Sequence, residues 1–412
     1  EDCTSYPTDG GMFAGLPSLS SLVIDSDVKA LQTGMFEGCT ALRNVRLSDC
    51  MSSIPVRLFA GCSSLSDVVI GSATTTIREG AFSGCGSLRS VNIPASVKTI
   101  YKEAFRDTGL VRLVLPSVTS IQGNAFYGCS ALVSVEIGTT GKPSIQTGAF
   151  GGCYKLIDVV NHSNKEFNVG KTSNGQIAYY TAFEPAKAGS SRVQEQDGYL
   201  FFVDPADANN VYLVGYVGDD TELTLPASFG GKKYSIYQYA FRGETGITSV
   251  KLSAGVTGIG YRAFCDALRL GTMDATAATE LTAIGEEAFR GCGALTRAAL
   301  PNGLTGIGAC AFYRCTTLGT LTVPDRVTTI GEAAFAESGV TALTFGRGVT
   351  AVPISVAYGC DRLTQVNFLG NVTEIGSAAF DGCVRLAAIT LPATLNTVGA
   401  SAFRGVERLL TV

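Results

Sequence analysis

Tryptophan is absent from the 412 residues, and histidine occurs once. A metal site built on two histidines is therefore excluded, and the single C-x₄-C pair, Cys310 with Cys315, has no second pair to complete a zinc site. Charge is scarce at 16%, and nearly balanced: 31 Lys and Arg face 35 Asp and Glu. No four Lys or Arg occur in a row, so attraction to nucleic acid or to anionic lipid has no basis here. No apolar run approaches the ~18 residues of a membrane span. The opening residues, EDCTSYPTDGG, are acidic and polar, unlike a signal peptide. The chain then reads either as cytosolic or as one whose leader lies outside this sequence. There is no G-x-S-x-G, no Walker-type loop and no G-x-G-x-x-G after a strand. These absences point away from an enzyme and call for no cofactor.

Apolar residues make up 46% of the chain, so a large buried core is expected. A phenylalanine anchors a repeat at Phe13, Phe36, Phe59, Phe82, Phe105, Phe126 and Phe150. It resumes at Phe241, Phe264, Phe289, Phe312, Phe335, Phe380 and Phe403, with Ala357 filling one place. The steps are 21 to 25 residues, mostly 23, which is the signature of a solenoid. GAFSGCGSLRSVNIP, Gly80 to Pro94, is one unit. Phe82, Cys85 and Leu88 point inward, Val91 and Ile93 alternate as a half-buried strand requires, and Pro94 stops the strand. Val97 and Ile100 turn inward again before the next anchor. One unit cannot bury its apolar face alone, but stacked units can. The reading is an α/β repeat solenoid of about 15 units. A parallel sheet forms one face, and short irregular or helical segments form the other.

TLTVPDRVTTIGEAAF, Thr320 to Phe335, and ALTRAALPNGLTGIGACAF, Ala294 to Phe312, carry the pattern most completely. The pattern resembles the BspA-like leucine-rich repeats over nearly the whole chain. The resemblance implies a right-handed leucine-rich-repeat superhelix. It also implies a surface or secreted protein of host-associated bacteria, or of some protozoa. The role it implies is adhesion to host extracellular proteins or to other cells.

The period fails between about Asp158 and Asp220. This suggests blocks 1–157 and 221–412 around an aromatic, β-rich island at 158–220. Nine of the 15 tyrosines lie between Tyr154 and Tyr239. DGYLFFV and VYLVGYVG, joined by DPADANN, predict a β-hairpin, and GQIAYYTAF predicts another strand. Asp204, Asp207, Asn209 and Asn210 could be calcium ligands or simply the hairpin loop. Thr221 to Phe241 reads as a stretched repeat that re-enters the solenoid. The last residues, RLLTV, stop inside an expected strand, which predicts either a continuing natural chain or an uncapped edge.

Nine of the 13 cysteines sit three residues after the anchor, among them Cys85, Cys129, Cys292 and Cys383. Other units place Leu16, Ala267 or Val406 there, a freedom no catalytic or ligating position allows. Neighbouring units lie one strand spacing apart, ~4.8 Å, with parallel side chains, which suits a disulfide poorly. These cysteines are expected to be buried thiols, small and apolar, with S–H groups bonded to backbone carbonyls. A Cys310–Cys315 bridge is the one alternative. His162 reads as a packing or surface residue. NHS at Asn161 and NVT at Asn371 match the glycosylation sequon.

The residues flanking the strand valine face outward. Ser134 with Glu136, Asp158 with Val160, and Leu270 with Thr272 are such pairs. No aromatic appears in this ladder, which offers only Arg46, Arg112 and Arg297 as strong contact residues. Tyr179, Tyr180, Tyr199 and Tyr216 of the island complete the candidate ligand-binding set. A protein-binding or adhesive module is expected, with a structural spacer or stalk as the alternative.

Overall fold

The computed structural model describes residues 11–139 and 141–408. It is a parallel β-solenoid of about 16 turns with almost no helix. Two compact units divide it, Glu1–Gln194 and Glu195–Val412. Of the two expected fillers between strands, irregular or helical, the irregular one is found. A single 3₁₀ turn at Asn174–Gln176 is the only helix among the described residues.

Most coils contribute two short strands. The V-x-I residues form a front sheet. In the first unit it runs through Ser21–Val23, Asn44–Arg46 and Asp67–Val69, then Arg112–Leu115, Ser134–Ile137 and Asp158–Asn161. The V-x-x-I residues form a second, side sheet through Ser53–Ile54, Thr76–Ile77, Thr99–Ile100, Ser120–Ile121 and Ser144–Ile145. Pairing is parallel, with equivalent residues about one repeat apart: Val45 faces Val68, and Ile77 faces Ile100. Threonines reinforce the ladder, since Thr75 Oγ1 donates to the Ser52 carbonyl and Thr305 Oγ1 to that of Thr282.

The turn around the anchor explains the Gly-rich motif. Gly80, Phe82 and Gly84 each donate an N–H to the next coil, at 3.1, 2.8 and 2.8 Å. The turn places Gly80 at φ +61° and Gly84 at φ +75°. Glycine takes this left-handed region freely, whereas other residues lose roughly 1–2 kcal/mol there. Even so, Arg57, Glu103, Arg262 and Glu287 occupy the first of these positions, and Asp107, Arg314 and Glu337 the second. The inter-coil bonds over-determine the turn, so the side chain at each place can vary.

Inside, the phenyl rings stack. From Phe13 to Phe150, through Phe82 and Phe126, successive centroids lie 5.1–5.8 Å apart. In the second unit Phe241, Phe264, Phe289, Phe312 and Phe335 continue at 4.9–6.0 Å, and Phe380 stacks on Phe403. Leu88, Val91, Ile93 and their equivalents complete the core.

The segment around residues 158–220 differs from expectation in instructive ways. GQIAYYTAF is a turn rather than a strand. It is a sixteenth coil that has lost its motif: Phe150 N–H donates to the Gly175 carbonyl, as Phe126 does to Ala149, and Ile177 and Ala178 join the core. The chain then crosses the front sheet. Ala186 bridges to Val160, Thr181 Oγ1 donates to the Ile157 carbonyl, and Arg192 grips Asp158 with its backbone N–H and guanidinium at 2.6 and 2.7 Å. Ser134, Asp158 and Val160, expected to face solvent, are buried, Asp158 and Val160 in contact with this strap. The outward pair of the Leu270 coil is Thr272 and Asp274; Leu270 itself is core, because the strand is Thr272–Asp274.

The second unit opens with the expected hairpin. Tyr199–Val203 pairs antiparallel with Val211–Tyr216, with a bulge at Leu200/Phe201. Val211–Tyr216 then lies parallel to Tyr234–Ile236 and so begins the side sheet of this unit. Glu222–Thr224 begins its front sheet, and the stretched repeat re-enters the solenoid as read. The strand expected at the chain end lies outside the described residues.

Candidate interaction surfaces

The cysteine column is packing. Cys39, Cys62, Cys85, Cys129, Cys153, Cys292, Cys315, Cys360 and Cys383 are buried and free. Each Sγ donates to a backbone carbonyl of the preceding coil at 3.1–3.3 Å, as Cys85 does to Phe59 and Cys292 to Phe264. Thr108 and Ser338 place hydroxyls in the same column, beside Cys129 and Cys360. Burial pushes the thiols of Cys62 and Cys292 up to about 12 and that of Cys360 to about 11. A thiol held that high carries no nucleophilic thiolate at neutral pH. Cys310 is free and half-buried, and Cys315 is free, so the alternative bridge is not formed. Among the described residues no three His, Cys, Asp or Glu gather as a metal site. Asp204 and Asp207 instead accept the N–H groups of Ala206 and Asn209 within the hairpin loop. His162 is half-buried, 3.2 Å from Glu136. Asn161 is buried and bonded to Lys165 and Ser163, whereas Asn371 is exposed.

Arg46 and Arg112 stand exposed on the front sheet of the first unit, and Arg297 on that of the second. Val23, Val69 and Val114 are exposed on the first sheet, with Arg46 between Val23 and Val69. In the second, Lys251 and Arg297 flank Asp274, whose carboxyl is held low mainly by two Thr276 hydrogen bonds, with these cations adding to the effect. The candidate tyrosines separate into pairs. Tyr179 is exposed and Tyr180 half-buried, edge to face at 4.9 Å. Tyr199 is a core residue whose hydroxyl donates to the Thr224 carbonyl; burial pushes it up to about 12. As such it presents little to a partner. Tyr216, half-buried, donates to Asp220 at 2.7 Å.

The densest contact chemistry lies elsewhere, on the turn edge of the second unit. Arg262 lies over the Tyr261 ring at 4.9 Å, and both Arg290 and Arg314 lie over Tyr313, at 5.6 and 5.1 Å. Tyr239 meets Tyr261 edge to face at 5.4 Å, and Arg242 lies over Tyr239. Glu287 receives Arg262 at 2.8 and 3.1 Å and Arg290 at 2.5 Å. Burial opposes ionisation of Glu287, but these two guanidinium partners outweigh it and hold the carboxyl below its usual range. Glu337 binds Arg314 and the Tyr313 hydroxyl at 2.7 and 2.8 Å. Tyr358, 41% exposed, extends the stripe. From the Phe241 coil to the Ala357 coil this spans five strand spacings, about 24 Å. Side chains fixed in this way lose little further freedom when a partner arrives. The sequence carried a signal: Arg242, Arg290, Tyr313 and Tyr358 each directly follow the anchor.

A sequence profile described as "BspA type Leucine rich repeat region (6 copies)" matches residues 9–133, 99–173, 221–304 and 282–409. The chain belongs to the BspA type leucine-rich repeat family. No curated protein sequence matches it. A T. pallidum leucine-rich repeat protein is 25% identical with a TM-score of 0.43, over 47% of this chain and 90% of that one. A leucine-rich repeat protein from Bacteroides ovatus is 18% identical with a TM-score of 0.36, over 95% and 85%. A leucine rich cell surface protein from Faecalibacterium prausnitzii is 21% identical with a TM-score of 0.35, over 85% and 79%. The BspA type match leaves residues 174–220 uncovered, the stretch where the coil loses its motif and the hairpin begins. Among the described residues no helix is long and apolar enough to cross a membrane.

Proposed function

We propose that this BspA type repeat protein is a non-enzymatic binding scaffold, displayed outside the cell, that adheres to a partner protein. The tyrosine–arginine stripe on the turn edge of the second unit is the observation that carries this reading. Tyrosine and arginine are the residue types that dominate binding hot spots, and here they are rigid before contact. Arg46, Arg112 and Arg297 on the front sheets, with Tyr179, Tyr180 and Tyr216, supply secondary contacts. Repeat blocks 1–157 and 221–412 act as the scaffold in this reading, and 158–220 is the specialised insertion between them. Deleting 158–220 would remove strands of both units, so point variants make the cleaner test. The chain and a Tyr261→Ala/Tyr313→Ala/Tyr358→Ala variant are passed over a panel of purified extracellular-matrix and serum proteins by surface plasmon resonance. Capture of at least one protein, weakened more than about tenfold in the variant, is the expected result. Capture that is indifferent to the variant moves the site elsewhere. An intact chain that captures nothing favours a spacer role.

A further inference from the structure

The side sheet of the first unit has a break with a chemical consequence. In each later coil, the residue after the strand isoleucine donates its N–H to the preceding isoleucine. Arg78 donates to Ile54, Tyr101 to Ile77, Gln122 to Ile100 and Gln146 to Ile121, at 2.9–3.0 Å. In the Ile54 coil that residue is Pro55, which has no N–H to give. The ladder ends there: Ser53–Ile54 is the edge strand, and Lys29–Leu31 does not pair with it. Between the two coils lies a hollow of about 290 Å³, lined among others by Lys29, Leu31, Ser53, Pro55, Val56 and Arg78. Its volume is at the low end for ligand sites, which suits a small group.

The lining has two chemistries. Leu31, Pro55 and Val56 are apolar. Lys29 and Arg78 are cationic, and among the described residues neither has a carboxylate partner. Arg78 is nevertheless positioned: its Nε donates to Ser53 Oγ at 3.0 Å, and its guanidinium lies over Tyr101 at 5.9 Å. Ser53 Oγ is itself held by Thr76 Oγ1 at 2.8 Å. The remaining guanidinium amines keep the paired-donor geometry that carboxylates accept.

We propose that this hollow binds a carboxylate carried on a short apolar group, with the anion between Lys29 and Arg78 and the alkyl part against Leu31, Pro55 and Val56. Such a group belongs either to a free small acid or to the carboxyl end of a peptide chain. The inference is independent of the turn-edge reading, which concerns the other unit. Ligand-detected saturation-transfer NMR on the full chain tests it with N-acetylvaline, a pentapeptide ending in valine with a free carboxylate, and the amide form of each. Both acids are expected to bind and both amides to fail. Binding by N-acetylvaline alone identifies a free acid as the ligand, and binding by the pentapeptide alone identifies a chain end. Lys29→Gln and Arg78→Gln are each expected to weaken binding about tenfold. Pro55→Gln restores the missing donor, and is expected to close the hollow and abolish the signal. If amides bind as well as acids, if neither acid binds, or if the two cation variants leave the signal unchanged, the proposal fails. Unchanged circular dichroism melts show that each variant is folded.

Discussion

Directly after the anchor, the first unit carries Glu37, Ala60, Ser83 and Gly151, with Arg106 and Tyr127 at two coils, whereas the second carries Arg242, Arg290, Tyr313, Tyr358 and Arg404, with Cys265, Ala336 and Asp381 at the others. The turns beneath are alike. Phe59 donates to the Ala81 carbonyl as Phe289 does to Ala311, both at 2.8 Å, and the residues around them share left-handed φ angles. The coil therefore sets backbone and core and leaves this column open. In the first unit Arg106 over Tyr127, at 5.2 Å, is the nearest counterpart of the stripe. The first unit is instead specialised at its last front strand, where the strap from Thr181 to Arg192 covers Asp158. Each unit has its own core, built on the same plan, and the two differ in what they place on it.

The sharpest challenge to this common plan is to remove one ring from each stack. Phe82→Ala and Phe289→Ala each delete a fully buried phenyl and are expected to cost about 3–5 kcal/mol. Hydrogen exchange should show the loss concentrated in the unit that carries the change. Clearly unequal losses would mean that the two stacks are not equivalent. Asp158→Ala attacks the feature specific to the first unit. It removes the acceptor of Ser191 and Arg192 and is expected to cost about 2–3 kcal/mol. Amides of Ser134 to Asn161 should then lose protection while the second unit keeps its own.

Glu287→Gln probes the feature specific to the second unit. Its partners are partly exposed, so a loss of about 1–2 kcal/mol at pH 7 is expected. Because the folded carboxyl is held below its ordinary value, its stabilisation is full above the ordinary pKa. It disappears as pH falls through the lowered one. Urea melts of wild type and variant should therefore converge toward pH 3, and a gap that widens on acidification would contradict the assignment. The smallest effect concerns the common plan of the two cores again. Among the cysteines of the described residues, iodoacetamide should label Cys50 first and Cys310 slowly in the folded chain, whereas the buried column reacts only on unfolding. Mass spectrometry reads the sites, and native labelling of Cys85 or Cys292 would refute their burial.

The coil itself was legible because it recurs. Phe82, Cys85, Leu88, Val91 and Ile93 occupy the places that spacing and alternation assigned, and the cysteine S–H groups bond backbone carbonyls as expected. The hairpin was legible from its turn residues and β-branched runs. Illegible were the places where one coil departs from its neighbours. The coil through Gly175 and Ile177 keeps the backbone pattern without the Phe or Cys that marks it elsewhere. Leu270 is a different case: LRLGTM offers two registers two residues apart, and the anchor chooses between them, since Leu270 follows Phe264 by six residues as Leu88 follows Phe82. The burial of Asp158 depends on residues up to 34 positions away, which no local pattern contains.

The repeat, its inward residues and the stacking of one coil on the next are written in the residue pattern. Each of these follows from a short pattern that must bury the same face many times over. Only the tertiary structure decided which outward columns are open, where the strap lies, and that Tyr261, Arg262, Glu287, Arg290 and Tyr313 meet on one edge. Neighbours on that edge are about one coil apart in sequence and one strand spacing apart in space, so their contact depends on the register of the stacked coils. Pro55 shows the same division. The missing N–H is visible in the residue type, but the hollow exists only because the coil beside it, at Lys29–Leu31, is left without a partner.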